Sequence, residues 1–427
     1  MSRVNEIISR LKQSRLFADS FWALVGSAAG KGLSLIAGIA VARFLGSELY
    51  GEYGTIKNTL LMIAIFSSMG LGYSATKFIA ESRTSGDLKR IVDTHRIATY
   101  ITLGMSGAIA LLTIVFAKQV AMWLEAPHLY SALQLSAIAI IFNAINTTQT
   151  GELSGFGAYK ELAKNNTWAG IFTFISSIVL TYFYNFNGAI IALIISLAFN
   201  AILNNITIRR CLKETNHREK VDIQYTKEII KFSIPIALQE GLYSVTHWGT
   251  TIILIKLAGY IEMGISSAAG QWMAVILFIP GALRNVALTH LSASNKDKAR
   301  NNAILKRLMA INFGSTFVPF LIILAISGWI STWYGDSFDG LQVVLNVCVF
   351  TAVVNSLTNV LTQEFMAHGK NWFLFWSRLI RDIGLCISLY FAILYFGHGA
   401  LTSAILGLAW QSIYLLWLIK TLKRFSS

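Results

Sequence analysis

About twelve apolar stretches of roughly twenty residues run along this chain, each long enough to cross ~30 Å of hydrocarbon as a helix. Their approximate ranges are 21–45, 55–79, 97–117, 131–151, 167–184, 188–208, 230–255, 266–290, 308–330, 341–364, 372–396 and 400–420. The connections between them are unequal in charge. One alternate set holds twenty-six of the 35 Lys and Arg residues, among them Arg3, Arg15, Arg83, Lys89, Lys160, Arg209, Lys220, Lys296, Arg307, Lys370 and Arg424. The opposite set holds only Lys118 and Lys256, beside the acids Glu48, Glu52, Glu125, Glu262, Asp336 and Asp339. Basic loops stay on the cytoplasmic side, so the pattern predicts a multi-pass protein of the cytoplasmic (inner) membrane with both termini in the cytoplasm.

At 55% hydrophobic and 13% charged, the 427 residues lie outside the range of soluble globular chains. The longest connection, 209–229, is too short to build a core of its own, which argues against a catalytic domain outside the bilayer. The net charge of +14 is accounted for by topology, so it points to anionic lipid headgroups and not to nucleic acid. Cys211, Cys348 and Cys386 have neither disulfide nor metal-ligand spacing, and no cofactor is expected. Ile7, Ile8, Leu11 and Leu16 among basic residues predict a short interfacial helix before the first span.

The two halves of the chain resemble each other. Arg43-Phe-Leu-Gly-Ser-Glu-Leu-Tyr-Gly51 parallels Lys256-Leu-Ala-Gly-Tyr-Ile-Glu-Met-Gly264, Leu133-Gln134 parallels Leu341-Gln342, and Gly188-Ala189 parallels Gly399-Ala400. Six spans in each half make the repeats parallel, related by an axis along the membrane normal. The expected architecture is all-α: about twelve transmembrane helices in two six-helix lobes around a central cavity. The lobes would be 1–208 and 230–427, joined by a cytoplasmic linker over 209–229. Pro235, Pro280 and Pro319 fall inside spans of the second half, where they serve either as bends for motion or as static kinks.

Several motifs carry a family resemblance. Ala42-Arg-Phe-Leu-Gly46, Tyr50-Gly-Glu-Tyr53, Gly70-Leu-Gly72 and Ala75-Thr-Lys-Phe-Ile-Ala-Glu81 resemble the start of lipid-linked oligosaccharide (O-antigen and other polysaccharide) flippases. These belong to the multidrug/oligosaccharidyl-lipid/polysaccharide (MOP) exporter superfamily. Leu153-Ser-Gly-Phe-Gly-Ala-Tyr-Lys160, Phe232-Ser-Ile-Pro235 and Tyr395-Phe-Gly-His-Gly-Ala400 are similar to later landmarks. The resemblance implies passage of an undecaprenyl-pyrophosphate-linked glycan across a bacterial inner membrane for lipopolysaccharide or other surface-polysaccharide synthesis. Membrane lipids and polysaccharide polymerase machinery are the implied partners. Thr246-His-Trp248 stands where many relatives carry an acid and a base, which puts the family's ion coupling in question.

Seven cations fall within the spans: Lys31, Arg43, Lys57, Lys77, Arg284, Arg378 and Arg381. A cation near a helix centre costs ~2.5 to 3.5 kcal/mol on insertion scales, so it needs a partner or a wet cavity. Arg43, Lys57 and Lys77 lie within a turn or so of a span end and can snorkel. Lys31, Arg284 and Arg381 are deeper and are the preferred ligands for a diphosphate; Arg378 shares that role or pairs with Asp382 at i, i+4. Asn143, Asn146, Thr147 and Thr150 form a polar stripe matched by Asn355, Asn359 and Thr362 in the other half. Asn143, Thr147, Asn355 and Asn359 are candidates for sugar hydroxyls, with helix–helix bonding as the alternative. Glu240, His247 and Asp382, with His290 nearby, are candidates for ion coupling; the competing reading is an acid neutralised by a cation. Trp168, Trp248 and Trp272 suit an interfacial belt better than sugar stacking.

A multidrug-type, ion-coupled exporter of the same fold would favour acids in its cavity, and the excess of cations argues the other way. A membrane saccharide polymerase or ligase would need larger external loops. A non-catalytic assembly scaffold leaves the intramembrane cations unexplained.

Overall fold

The structure is a computed structural model describing the backbone of residues 2–212, 222–281, 283, 291, 298–397 and 399–426. Among the described residues there is no strand. The helices are α1 (Ser2–Ser68), α2 (Leu71–Ser85), α3 (Leu88–Trp123), α4 (Tyr130–Gly155), α5 (Tyr159–Leu212), α6 (Ile223–Ile276), α7 (Lys298–Tyr334), α8 (Leu341–Ala367), α9 (Asn371–Phe396) and α10 (Gly399–Ser426). Among the described residues, nine of them are long and apolar enough to cross a membrane. Three of those nine, α1, α5 and α6, are each two helices joined at one non-helical residue, Gly46, Asn185 and Gly259. The protein is a polytopic all-α membrane protein.

Polar side chains mark several starts. The Asp87 carboxylate accepts from the Arg90 amide at 3.0 Å to begin α3, and Asp222 accepts from Gln224 at 2.8 Å before α6. One break falls inside an expected span: the run 55–79 is interrupted at Met69 (φ 45°) and Gly70 (φ 69°), between α1 and α2. Pro235 and Pro319 lie within α6 and α7 without interrupting either; the non-helical residue in α6 is Gly259.

The sequence repeat is also a backbone repeat. Gly46 (φ 74°, ψ 171°) and Gly259 (φ 86°, ψ 179°), 213 positions apart, share one conformation. So do Asn185 (φ 51°, ψ −132°) and Gly397 (φ 67°, ψ −138°), 212 positions apart. Gly157 (φ 68°) and Gly369 (φ 70°) close α4 and α8 in matching left-handed caps. A register held at three separate turns is a property of the whole half and not of one motif.

The chain divides into two compact units, each drawing on both halves. One comprises the described residues up to Ala37 with Ile56–Ser244; the other comprises Gly38–Thr55 with Val245–Ser427. Relative to the expected boundaries, residues 38–55 join the second unit and 230–244 join the first.

In the first unit α4 packs against α2, α3 and α5, and α1 meets α5 where a Cβ on Gly170 would lie 2.6 Å from the Gly30 Cα. The start of α6 belongs here for a visible reason. Tyr225 and Phe232 pack edge-on against Phe78, Ser233 shares a 2.6 Å hydrogen bond with Ser74, and the Tyr225 hydroxyl lies 2.7 Å from Thr94. In the second unit α8 packs on α7 and α10, and α10 on α9.

The two repeated segments meet each other inside the second unit. A Cβ on Gly51 would run into the carbonyl oxygen of Tyr260, and a Cβ on Gly264 into that of Ser47. Ser47 and Tyr260 are themselves 213 apart, so the same turn supplies both sides of the contact. Small residues let helix backbones approach this closely in a membrane, where packing supplies the attraction. Gly51→Ala or Gly264→Ala must push the backbones apart, at a cost of about 1–3 kcal/mol. Thermal unfolding in detergent, followed by circular dichroism, should show a lowered midpoint for both. Gly407→Ala, which meets open space, should show no loss.

Candidate substrate site

The second unit contains a chain of polar contacts through four apolar helices. Arg381 and Asp382 are neighbours on α9, with side chains 13% exposed each. The Arg381 Nε donates to Asp382 Oδ1 at 2.7 Å, its Nη2 lies 2.6 Å from the same oxygen, and its Nη1 donates to Gln411 Oε1 on α10 at 3.1 Å. The guanidinium carbon lies 4.9 Å from the ring centroid of Tyr414. Gln411 passes the chain on, donating from Nε2 to Asn355 Oδ1 on α8 at 3.2 Å. On the other side the Thr246 hydroxyl of α6 donates to Asp382 Oδ2 at 3.3 Å.

Consecutive residues on a helix do not normally face each other. Here the amide of Gln411 and the ring of Tyr414 hold the guanidinium against its neighbour. Arg381, expected as a diphosphate ligand, thus pairs with Asp382, the alternative partner expected for Arg378. Arg378 itself is half-buried one turn earlier. With Asp382 ionised, the Arg381–Asp382 pair is net neutral, so an anion reaching it would compete with the carboxylate for the remaining guanidinium hydrogens.

The other expected residues are placed as follows. Lys31 is exposed on α1, next to the Gly30–Gly170 crossing, and Ser34 bonds back to the Gly30 carbonyl at 2.9 Å. Asn143 is half-buried and Thr147 exposed; the Thr147 hydroxyl donates to the Asn143 carbonyl at 2.9 Å. Asn146 is buried and donates to the Leu197 carbonyl of α5 at 2.8 Å, so this member of the stripe ties two helices together. Asn355 and Asn359 occupy the positions of Asn143 and Thr147 displaced by 212, and Asn359 is half-buried. Glu240 is half-buried in the first unit, and His247 is exposed in the second, next to Thr246. Arg284 and His290 lie outside the described residues.

Two of the shallower cations have structural work. Arg43 Nη1 donates to the carbonyls of Thr332 and Trp333 at 2.9 and 3.3 Å, capping the C-terminal end of α7. Lys77 lies 4.3 Å from the Phe232 ring centroid and 3.9 Å from Glu81. Trp272 donates to the Tyr334 hydroxyl at 2.9 Å within an aromatic cluster. Sequence reasoning missed Gln411 and Tyr414; an amide within the apolar run 400–420 was the available signal.

The fold is that of MOP-superfamily transporters. An inward-facing multidrug resistance MATE family transporter of that superfamily superposes with a TM-score of 0.77 at 14% identity, over 93% of this chain and 96% of the other. A MOP superfamily transporter from Pyrococcus furiosus, reported with a reversed polarity of its binding pocket, gives 0.68 at 12% identity over 96% of both chains. Within that fold the chain belongs to the polysaccharide biosynthesis protein family, whose profile matches residues 40–311. It is 22% identical over 410 residues to the EPS I polysaccharide export inner membrane protein EpsE of Ralstonia nicotianae, covering 92% of this chain and 89% of that one. An uncharacterized membrane protein of Methanocaldococcus jannaschii is 22% identical over 389 residues, 81% of this chain and 91% of its own.

Removing one member of a buried ion pair strands the other. Asp382→Asn should destabilise the protein by roughly 3 kcal/mol, while Arg381→Met/Asp382→Leu, which removes both charges, should recover most of that loss. Denaturation midpoints in detergent for Arg381→Met, Asp382→Leu and the double variant complete the cycle, with Asp382→Asn as the isosteric single. Equal stability of Asp382→Asn and wild type would remove the pair from the energetics of α9.

Proposed function

We propose that this protein is a flippase that moves a polyprenyl-pyrophosphate-linked oligosaccharide, carried on undecaprenol, from the cytoplasmic to the outer leaflet of a bacterial inner membrane. The repeat unit would then serve surface-polysaccharide assembly. The observation that carries the reading is the sign of the charge within the apolar runs of a polysaccharide-family chain: the seven cations there outnumber the acids Glu240, Asp382 and Glu364. A diphosphate offers acceptor oxygens for guanidinium forks and an ammonium point charge. Asn143, Thr147, Asn355 and Asn359 supply small polar groups at repeat-related positions for sugar hydroxyls. Glu240, His247 and Asp382 are the groups through which an ion gradient would act. Transport by alternating exposure of a cationic cavity follows from the parallel repeat.

A multidrug-type exporter is the second reading, favoured by the solved transporter of that kind with the same fold. A cationic drug would meet the excess of cations within the apolar runs, which like charge disfavours.

Labelled lipid-linked saccharide in vesicles reconstituted with the full chain tests the reading. Lys31→Ala and Arg284→Ala should each slow its movement roughly tenfold or more, the value of one lost hydrogen bond to a charged group. Undiminished movement in both variants would remove the cationic site. Orientation has its own test: the exposed Cys211 should react with a membrane-impermeant maleimide only after the cells are permeabilised. Labelling of intact cells would reverse the proposed topology.

A further inference from the structure

Away from the candidate site, a buried carboxyl group recurs in each unit at the same point of the repeat. Glu152 lies in the last turn of α4 and Glu364 in the last turn of α8, 212 positions apart, each five residues before the glycine, Gly157 or Gly369, that caps its helix. Their side chains are 1% and 3% exposed. Glu152 Oε2 lies 2.9 Å from His95 Nδ1 on α3. Glu364 Oε1 accepts from Asn301 Nδ2 on α7 at 2.5 Å and lies 3.5 Å from His368 Nδ1, while its Oε2 has no hydrogen-bond partner among the described residues. The acid is repeated; its partners are not.

The surroundings define what these groups can bind. Against α4, α2 presents Ala75, Thr76 and Ile79 around Gly155, and the charged groups that bear on His95 are Arg96 of α3 and Arg209 of α5. Against α8, α7 presents Asn301 and Leu305, α9 presents Leu374, and α10 presents Tyr414 and Leu418. Among the described residues no three acids, histidines or cysteines gather to hold a metal ion. A single carboxyl in such a place is too little for a metal, and a bare anion there would be costly. A proton removes that cost. Each acid also has an imidazole between it and the surface: His95 is 26% exposed and His368 38%. An imidazole so placed can carry a proton in and out.

We propose that Glu152 with His95, and Glu364 with His368, are two repeat-related proton-binding sites, each loaded and emptied from the side of the membrane that holds the basic loops. The proton passes from water to the imidazole and on to the carboxyl. Loading neutralises the acid that ties α4 to α3; in the other unit it neutralises the acid that ties α8 to α7. These sites are separate from Glu240, His247 and Asp382. Proton binding does not depend on the flippase reading; the side from which the sites load rests on the loop charges.

Proton release from the purified full-length protein in detergent tests this without any transport measurement. Between about pH 7.5 and 9.5 an ordinary glutamate or histidine has already given up its proton. Above the lower end of that interval Glu152→Gln and Glu364→Gln should each release fewer protons per chain than wild type, and the double variant fewer still. Equal release by wild type and the double variant would overturn the proposal. If glutamine at either acid prevents recovery of folded protein, His95→Gln and His368→Gln decide the matter. Each should displace the release by about one pH unit, a tenfold change in proton affinity, and release unmoved in both would sink the idea.

Discussion

A backbone amide inside hydrocarbon has no water to bond to, so every turn of chain at that depth must close its own hydrogen bonds. The rest of this molecule follows from that requirement. Direction changes in the connections between spans, and the same step recurs in both halves: positive-φ Gly46 and Gly259, positive-φ Asn185 and Gly397, capping glycines at Gly157 and Gly369. In α1, α5 and α6 such a turn joins two helices at a single non-helical residue. Asparagine tolerates positive φ better than most non-glycine residues, which suits it to position 185.

The same scarcity of water governs the polar side chains. In α9, Arg381 does not stand alone; it is one link in a line from Asn355 through Gln411 to Asp382 and Thr246. Each link satisfies its neighbour, so a polar chain crosses four apolar helices with its charges paired. Arg43 solves the same problem by capping the exposed carbonyls of α7. Lys77 solves it with the face of Phe232.

Much of the architecture was legible in the sequence because hydrocarbon thickness and loop charge act residue by residue. The twelve runs and the 213-residue register needed no knowledge of contacts. What escaped depended on the third dimension. The break at Met69–Gly70 is placed where the start of α6 packs: a Cβ on Gly70 would lie 3.0 Å from the Ser233 carbonyl. No local signal in the run 55–79 reveals that neighbour. The pairing of the neighbours Arg381 and Asp382 depends on Gln411 and Tyr414, some thirty residues on, which no local signal reveals. Glu152 was overlooked because it lies just past the apolar run 131–151, although helix α4 carries it into a buried position.

The crossing at Gly51 and Gly264 has one more implication. A contact whose two faces are the same short turn, each glycine lying on the other's backbone, is isologous, the arrangement by which identical subunits pair across a two-fold axis. A free-standing half of this chain would therefore carry, in one turn, both the knob and the socket for a second copy of itself. Duplication followed by fusion would make that pairing permanent and turn a concentration-dependent encounter into an intramolecular one.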